Sequence, residues 1–193
     1  MPSFSGEVKN ELARLPLQRE CCERAELAGL LRMGASLTLG AGRALGIAFA
    51  TEHAAVARRT LVLLKQAGAV RTEVMVRRSR RLGKTNTYAV RVIPGEAVGA
   101  LLAGLGLSPG EFAADGQKAL LRRKCCRASY LRGAFLAGGS VSRPEASCHL
   151  EYVTTNVQFA ELLQTLLRRF GFPAGMTGRK EDYVVYLKEG DAI

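Results

Sequence analysis

The sequence predicts an α+β fold made of two αββαββα halves that are related by a pseudo-twofold axis. Segments beginning at Cys21-Cys22 and at Cys125-Cys126 repeat one another, with leucine, glycine and serine at matched positions. Each copy also alternates helical and strand periodicity in the same order. We therefore expect each half to form a four-stranded antiparallel sheet with helices on one face.

The N-terminal segment, residues 1–18, is expected to form a separate helix. Its apolar residues recur at helical spacing: Phe4, Val8, Leu12 and Leu15. Ser5 is the expected cap of this helix, because its hydroxyl can accept a bond from a free backbone N–H, and Pro16 is the expected end.

The first half spans residues 19–104. Its expected elements are a helix over 20–35, strands over 36–39 and 45–49, a helix over 53–67, strands over 72–78 and 85–92, and a helix over 96–102. Tyr88, Val90 and Val92 alternate with polar or small residues, which indicates a strand with one buried face. Gly68 is a plausible helix stop.

The second half spans residues 117–193 and follows a linker, residues 105–116, that is rich in Gly, Pro, Ser and Asp. The expected elements are a helix over 117–138, a turn over 142–145, a strand over 148–153, a helix from Thr155 or Asn156 to Phe170, and a hairpin over 175–180 and 183–188. The last four residues match the start of the final helix of the first half, so we expect this half to be truncated there and the chain to belong to a longer protein.

The two central helices are expected to pack against each other. Gly29 and Gly133 occupy equivalent positions in them, and glycine costs roughly 1 kcal/mol relative to alanine inside a helix. Close approach of the two backbones would compensate for that cost.

Composition limits the possible functions. The chain has 193 residues, of which 48% are hydrophobic and 23% charged, which is enough to bury a core. It has no apolar run long enough to span a bilayer, and its first residues do not resemble a signal peptide, so we expect no membrane partner. Five cysteines without a C-x-x-C pattern fit a reducing cytosol, and we expect a cytoplasmic, nucleoid-associated protein. The net charge of +11 favours a polyanionic partner, duplex DNA above all.

The segment from Leu27 to Ala35, LAGLLRMGA, resembles the LAGLIDADG motif of homing endonucleases, and the segment from Leu131 to Gly139 is a weaker second copy. Together with SFSGEVKNEL, the paired cysteines, RGAFLAGGSV and YVVYLKEG, these segments make the whole chain similar to the N-terminal domain of the WhiA family. That resemblance implies a bacterial DNA-binding regulator of sporulation and cell division. It also implies a C-terminal helix-turn-helix domain, which is absent from this sequence.

The motif residues oppose a nuclease. In the LAGLIDADG enzymes, the acid at the eighth motif position of each helix holds the divalent cation, and those positions are Gly34 and Gly138 here. The sixth positions are Arg32 and Leu136. Glu145 and Glu151 lie downstream, but neither has a counterpart carboxylate in the first half. We therefore predict that the protein is not an enzyme and needs no cofactor.

A basic hairpin is the expected DNA contact. The predicted contact residues are Arg77, Arg78, Arg80, Arg81, Lys84 and Arg91 in the first half, with Arg179 and Lys180 at the shorter tip of the second. Arginines on a two-stranded ribbon can bind phosphates or base edges. The alternatives are a hairpin tip that is only solvated and, at the level of function, a scaffold that binds regulatory proteins. We expect a monomer.

The remaining polar residues suggest structural roles. Arg58 and Arg59 are expected on a solvated helix face. A pseudo-twofold arrangement does not require the two cysteine pairs to lie close together, and five cysteines without a C-x-x-C pattern indicate buried, inert thiols rather than a metal site. His53 and His149 have no partner at a recognisable catalytic spacing.

Overall fold

The computed structural model describes residues 3–16, 19–68, 70–78, 86–108, 117–143 and 149–188. The helices are α1 (Phe4–Leu12), α2 (Glu20–Gly34), α3 (Ala54–Ala67), α4 (Glu96–Gly104), α5 (Lys124–Gly138) and α6 (Val157–Arg168). The strands are β1 (Ala35–Leu39), β2 (Leu45–Thr51), β3 (Thr72–Arg77), β4 (Thr87–Val92), β5 (Gly139–Val141), β6 (Leu150–Thr154), β7 (Gly175–Arg179) and β8 (Asp182–Leu187).

The strands form two four-stranded antiparallel sheets with matching topology. Their strand orders are β1-β2-β4-β3 and β5-β6-β8-β7. The predicted α+β fold with two repeated halves is therefore confirmed. The last helix expected in the second half falls within 189–193, outside the residues that the structure describes.

The two central helices, α2 and α5, run side by side in the same direction. The backbones meet at the two predicted glycines: a Cβ on Gly29 would stand 2.2 Å from the carbonyl oxygen of Tyr130, and a Cβ on Gly133 would stand 2.0 Å from that of Glu26. Both distances are far below van der Waals contact, so only glycine allows this approach. The predicted packing of the central helices is confirmed.

The hydrophobic core surrounds this helix pair. One face of each helix is fully buried, including Leu27 and Leu30 in α2 and Ala134 and Leu136 in α5. The inner faces of the sheets cover it with residues such as Phe49 and Tyr152. Burying each large side chain stabilises the fold by about 1.5–3 kcal/mol, so the packing of both halves depends on this centre.

Local signals at the helix starts differ from some predictions. Ser3, not Ser5, caps α1 by accepting a bond from the Gly6 N–H at 3.2 Å. The helix already ends at Leu12, before Pro16. Asn156 caps α6 as predicted, because its side-chain oxygen accepts a bond from the Phe159 N–H at 2.8 Å.

The second central helix begins at Lys124, not at residue 117. Gln117 is fully buried instead, where its side-chain oxygen accepts bonds from the Tyr130 hydroxyl at 2.6 Å and from Arg32 at 3.1 Å. Arg127 donates to the carbonyl oxygens of Leu121 and Arg122, which holds the turn before the helix. These tertiary bonds outweigh the helical periodicity of the segment.

The parallel course of α2 and α5 also places the two cysteine pairs side by side at the N-terminal ends of the helices. The thiol sulfurs of Cys21, Cys22, Cys125 and Cys126 lie within 4.8 Å of one another. The pseudo-twofold arrangement alone did not require this proximity. It arises because the axis runs between two parallel helices, which brings their equivalent ends together.

Candidate nucleic-acid interface

The outer face of the first sheet carries two of the predicted cations. Arg91 on β4 lies between Ala48 on β2 and Glu73 on β3, and Arg77 at the end of β3 pairs with Thr87. Side chains of a strand alternate between faces, so Arg77 and Arg91 share the outer face, while Val90 and Val92 point to the core. Both arginines are exposed.

The outer face of the second sheet forms a groove with a volume of about 590 Å³. Its lining includes three cations and two acids: Arg179, Lys180, Lys188, Glu151 and Asp182. Arg179 and Lys180 were predicted from the sequence, and Lys188 was not. The signal for Lys188 was available, since it follows β8 in the two-residue alternation that places Tyr186 on the same face.

The two halves place an arginine at equivalent positions. Tyr88 and Tyr183 are matched residues of the repeat, and their cross-strand partners are Val76 and Gly178. The residue after each partner is an arginine, Arg77 or Arg179, at the end of the strand and on the outer face. The internal symmetry therefore places Arg77 and Arg179 at equivalent positions on the outer faces of the two sheets, and both are exposed.

Other residues of the predicted arm are only partly described. Arg78 is exposed directly after β3. Arg80, Arg81 and Lys84 lie outside the described residues. Lys180 stands at the tip of the second hairpin with a φ of 59°, which is the left-handed backbone conformation of a tight turn.

The two motif glycines lie at the C-terminal ends of the central helices, next to each other and exposed. A Cβ on Gly34 would stand 2.9 Å from the Phe49 ring and 3.0 Å from the Cβ of Ala137, and one on Gly138 would stand 2.8 Å from the end of Met33. Each central helix continues directly into the first strand of its sheet. The point where the two helices end therefore lies between the outer faces of the two sheets. Among the described residues, no group of three or more potential metal ligands that includes a carboxylate lies at this point.

A buried ionic network that sequence reasoning missed joins three helices. The fully buried carboxylate of Glu26 on α2 accepts bonds from Arg59 on α3 at 2.7 and 2.9 Å and from Arg132 on α5 at 2.6 and 3.0 Å. Arg59 also donates to the Leu15 carbonyl oxygen. The prediction that Arg59 lies on a solvated face is therefore wrong, because a buried carboxylate requires a cationic partner.

Arg32, at the sixth motif position, is likewise structural. Its guanidinium donates to Gln117 and lies 5.0 Å from the centre of the Phe159 ring. A cation over an aromatic face is favourable, and this contact connects the end of α2 to α6 of the other half.

Two family models match the chain in succession. The WhiA N-terminal LAGLIDADG-like domain matches residues 20–108, and the WhiA LAGLIDADG-like domain matches residues 127–193. The chain belongs to the WhiA family. Curated family members include probable cell division protein WhiA of Heliobacterium modesticaldum, 44% identical, and of Desulforamulus reducens, 43% identical. Each alignment covers 99% of this chain and 60% of the relative, so the chain spans about three fifths of the length of these relatives.

Solved structures of the WhiA family share this fold. The crystal structure of the N-terminal LAGLIDADG domain of DUF199/WhiA has a TM-score of 0.74 at 24% identity and covers 98% of this chain and 85% of that one. Full-length DUF199/WhiA from Thermatoga maritima has a TM-score of 0.69 at 23% identity, over 97% of this chain and 57% of that one. The homing endonuclease I-DmoI, in complex with DNA and Mn, has a TM-score of 0.58 at 15% identity, over 88% and 90%.

No helix in the described ranges has the length and apolar character needed to cross a bilayer.

Proposed function

We propose that this domain binds duplex DNA through the outer faces of its two sheets, as part of a bacterial transcription regulator of sporulation and cell division. The observation that carries the proposal is the equivalent placement of Arg77 and Arg179 on the two outer faces. An accidental solvated charge has no reason to recur at the same position of both halves, whereas a duplex offers phosphates at symmetric positions.

Charge and fold support the same partner. The net charge of +11 provides long-range attraction to a polyanion, and the predicted arm at residues 77–84 adds five cations to the first half. The related homing endonuclease fold is known in complex with DNA. In the longer family members, we propose that a C-terminal helix-turn-helix domain contributes sequence recognition and that this domain adds affinity and orientation.

The proposed DNA contact is non-catalytic. Two-metal hydrolysis needs carboxylates that hold cations against the phosphate, and Gly34 and Gly138 supply none. Glu151 is the acid on the outer face near this junction, where it pairs with Ser140 and Tyr186. Purified chain incubated with plasmid and Mg²⁺ should leave the DNA intact. Cutting that disappears in Glu151→Gln would contradict this.

Fluorescence anisotropy with a labelled duplex across a salt series tests the DNA-binding proposal. The predicted arm at residues 77–84 has five cations. One phosphate contact from each gives a slope of log K against log salt concentration of about −4.5. Replacing Arg77 and Arg179 with alanine should weaken binding and make the slope shallower by about 1.8. The matched control changes Arg58 and Arg169 to alanine, which removes the same charge from exposed positions on the helical side.

The comparison of the two double variants decides the outcome. Equal losses in both would mean that only net charge matters and that the outer faces are not the interface. Absence of binding at low salt in the unchanged chain would favour the alternative function, a scaffold that binds other regulatory proteins.

A further inference from the structure

The four clustered cysteines at the N-terminal ends of α2 and α5 are not explained by DNA binding. Cys22 and Cys126 are buried, while Cys21 and Cys125 are half-buried. Their sulfurs lie within 4.8 Å of one another, two from each half of the molecule. From this geometry we propose that the four thiolates bind a single structural Zn²⁺ ion that joins the two halves.

The spacing fits one ion in tetrahedral coordination. Zinc–sulfur bonds of about 2.3 Å place the four sulfurs of a tetrahedral site about 3.8 Å apart. Sulfurs that already lie within 4.8 Å reach that arrangement by small side-chain rotations. An iron–sulfur cluster would place several irons and sulfides between the thiolates and hold them further apart.

Each vicinal pair supplies two ligands, one from each cysteine, at the N-terminal end of its helix. The two helices run in parallel, so each pair faces the other across the interface. All four sulfurs lie within 4.8 Å of one another, so both pairs can reach a single ion. Four protein ligands complete the coordination shell, which is the pattern of structural rather than catalytic zinc.

Positive groups around the four cysteines compensate the negative charge that the zinc-bound site would have. Binding of Zn²⁺ to four thiols releases four protons to solvent and leaves a site with two net negative charges. Arg123 donates to the sulfur of Cys21 at 3.7 Å, which places a cation beside the site. Both helix N-termini direct their positive dipole ends at the cluster, which further stabilises thiolates.

The site would lie far from the DNA face. Cys22 and Gly34 are at opposite ends of α2, about 18 Å apart at a rise of 1.5 Å per residue. The ion would therefore hold the N-terminal ends of the two central helices together, while their C-terminal ends stand between the outer faces of the sheets.

Titration of the reduced, metal-free chain with Co²⁺ tests the proposal, because thiolate-bound tetrahedral Co²⁺ has intense visible bands and a sulfur-to-metal charge-transfer band. We expect about one Co²⁺ per chain with this spectrum, full displacement by Zn²⁺, and a higher Tm in stoichiometric Zn²⁺. Zinc should also co-purify with the chain, as measured by elemental mass spectrometry.

Two variants and a control complete the test. C21S/C125S changes the two half-buried ligands, one from each half, so it is expected to fold but to lose the charge-transfer band and the zinc-dependent rise in Tm. C148S, which changes the fifth cysteine, should bind like the unchanged chain. A reduced chain that binds no Co²⁺, a weak octahedral spectrum, or equal binding by C21S/C125S would overturn the proposal.

Discussion

At the scale of single residues, Glu26 is the position on which three helices depend. Its carboxylate is fully buried and bonded by two arginines from α3 and α5. Removing one partner from a buried ionic group leaves the others uncompensated, which costs about 3–5 kcal/mol. This network therefore connects the two central helices to α3.

We expect Glu26→Gln to lower the free energy of unfolding by about 3 kcal/mol, because the buried Arg59 and the partly buried Arg132 would lose their counter-charge. Urea denaturation followed by circular dichroism measures this. Glu23→Gln on the same helix is the control, since that side chain is only partly buried and its loss should cost under about 1 kcal/mol. Similar losses in both variants would show that the network is not stabilising.

His53 provides a residue-scale test by pH. Burial first, and then the nearby charge of Lys9, lower the pKa of His53 below its ordinary value of 6.5, and Glu52 opposes this shift. The unfolded chain therefore takes up a proton more readily than the folded one as pH falls. The free energy of unfolding is therefore unaffected by His53 above pH 6.5. It falls as the pH drops below 6.5, because the unfolded chain then binds the proton that the folded chain resists.

The measurement is the free energy of unfolding at pH 7.5 and pH 5.5. His53→Gln should reduce the difference between the two values, because the variant removes the group that is protonated on unfolding. His149→Gln, which removes the other histidine and keeps His53, is the matched control. A difference that is unchanged in His53→Gln would contradict the assignment.

At the scale of elements, the contact of α2 with α5 organises the fold. Gly29→Ala should destabilise the protein by more than about 3 kcal/mol or prevent folding, because the new Cβ would stand 2.2 Å from a backbone oxygen that cannot move independently of its helix. Gly99→Ala is the matched control. That glycine lies in α4 with nothing within 4 Å of an added Cβ, so alanine should stabilise by about 0.5–1 kcal/mol.

Thermal unfolding of both glycine variants gives the comparison. Opposite shifts in Tm are expected, since the same chemical change meets backbone at one site and open space at the other. A stable Gly29→Ala variant would mean that the two helices can separate without loss, contrary to the close approach seen here.

Repetition explains why these elements were predictable. Matched glycines in the two copies indicate a packed helix pair from the sequence alone, and the alternation around Tyr88 places Arg91 on the outer face. The start of α5 was not predictable, because it depends on Gln117 reaching Tyr130 and Arg32 of other segments. The pairing of Glu26 with Arg59 and Arg132 was not predicted for the same reason, because both arginines are distant from Glu26 in the sequence.

At the scale of the whole molecule, the two halves share one core. α2 and α5 each bury a face against the other, and Glu26 and Arg132 bond across the boundary at 2.6 Å. A half removed from its partner would expose that apolar face and leave Glu26 without one of its cations. We therefore expect one cooperative unfolding transition for the chain and no stable fold for residues 19–108 alone.

Calorimetry and amide exchange test this cooperativity. The calorimetric and van't Hoff enthalpies of the chain should agree, as they do for a two-state transition. The fragment 19–108 should lack protected amides, and mixing it with the fragment 117–193 should restore protection, because the second fragment supplies α5 with Arg132 and the facing glycine. Two separate transitions, or a folded first fragment, would show that each half is an independent domain and that the outer faces are free to move relative to each other. One shared transition instead fixes both faces on a single rigid centre, which is the condition for Arg77 and Arg179 to contact the same duplex.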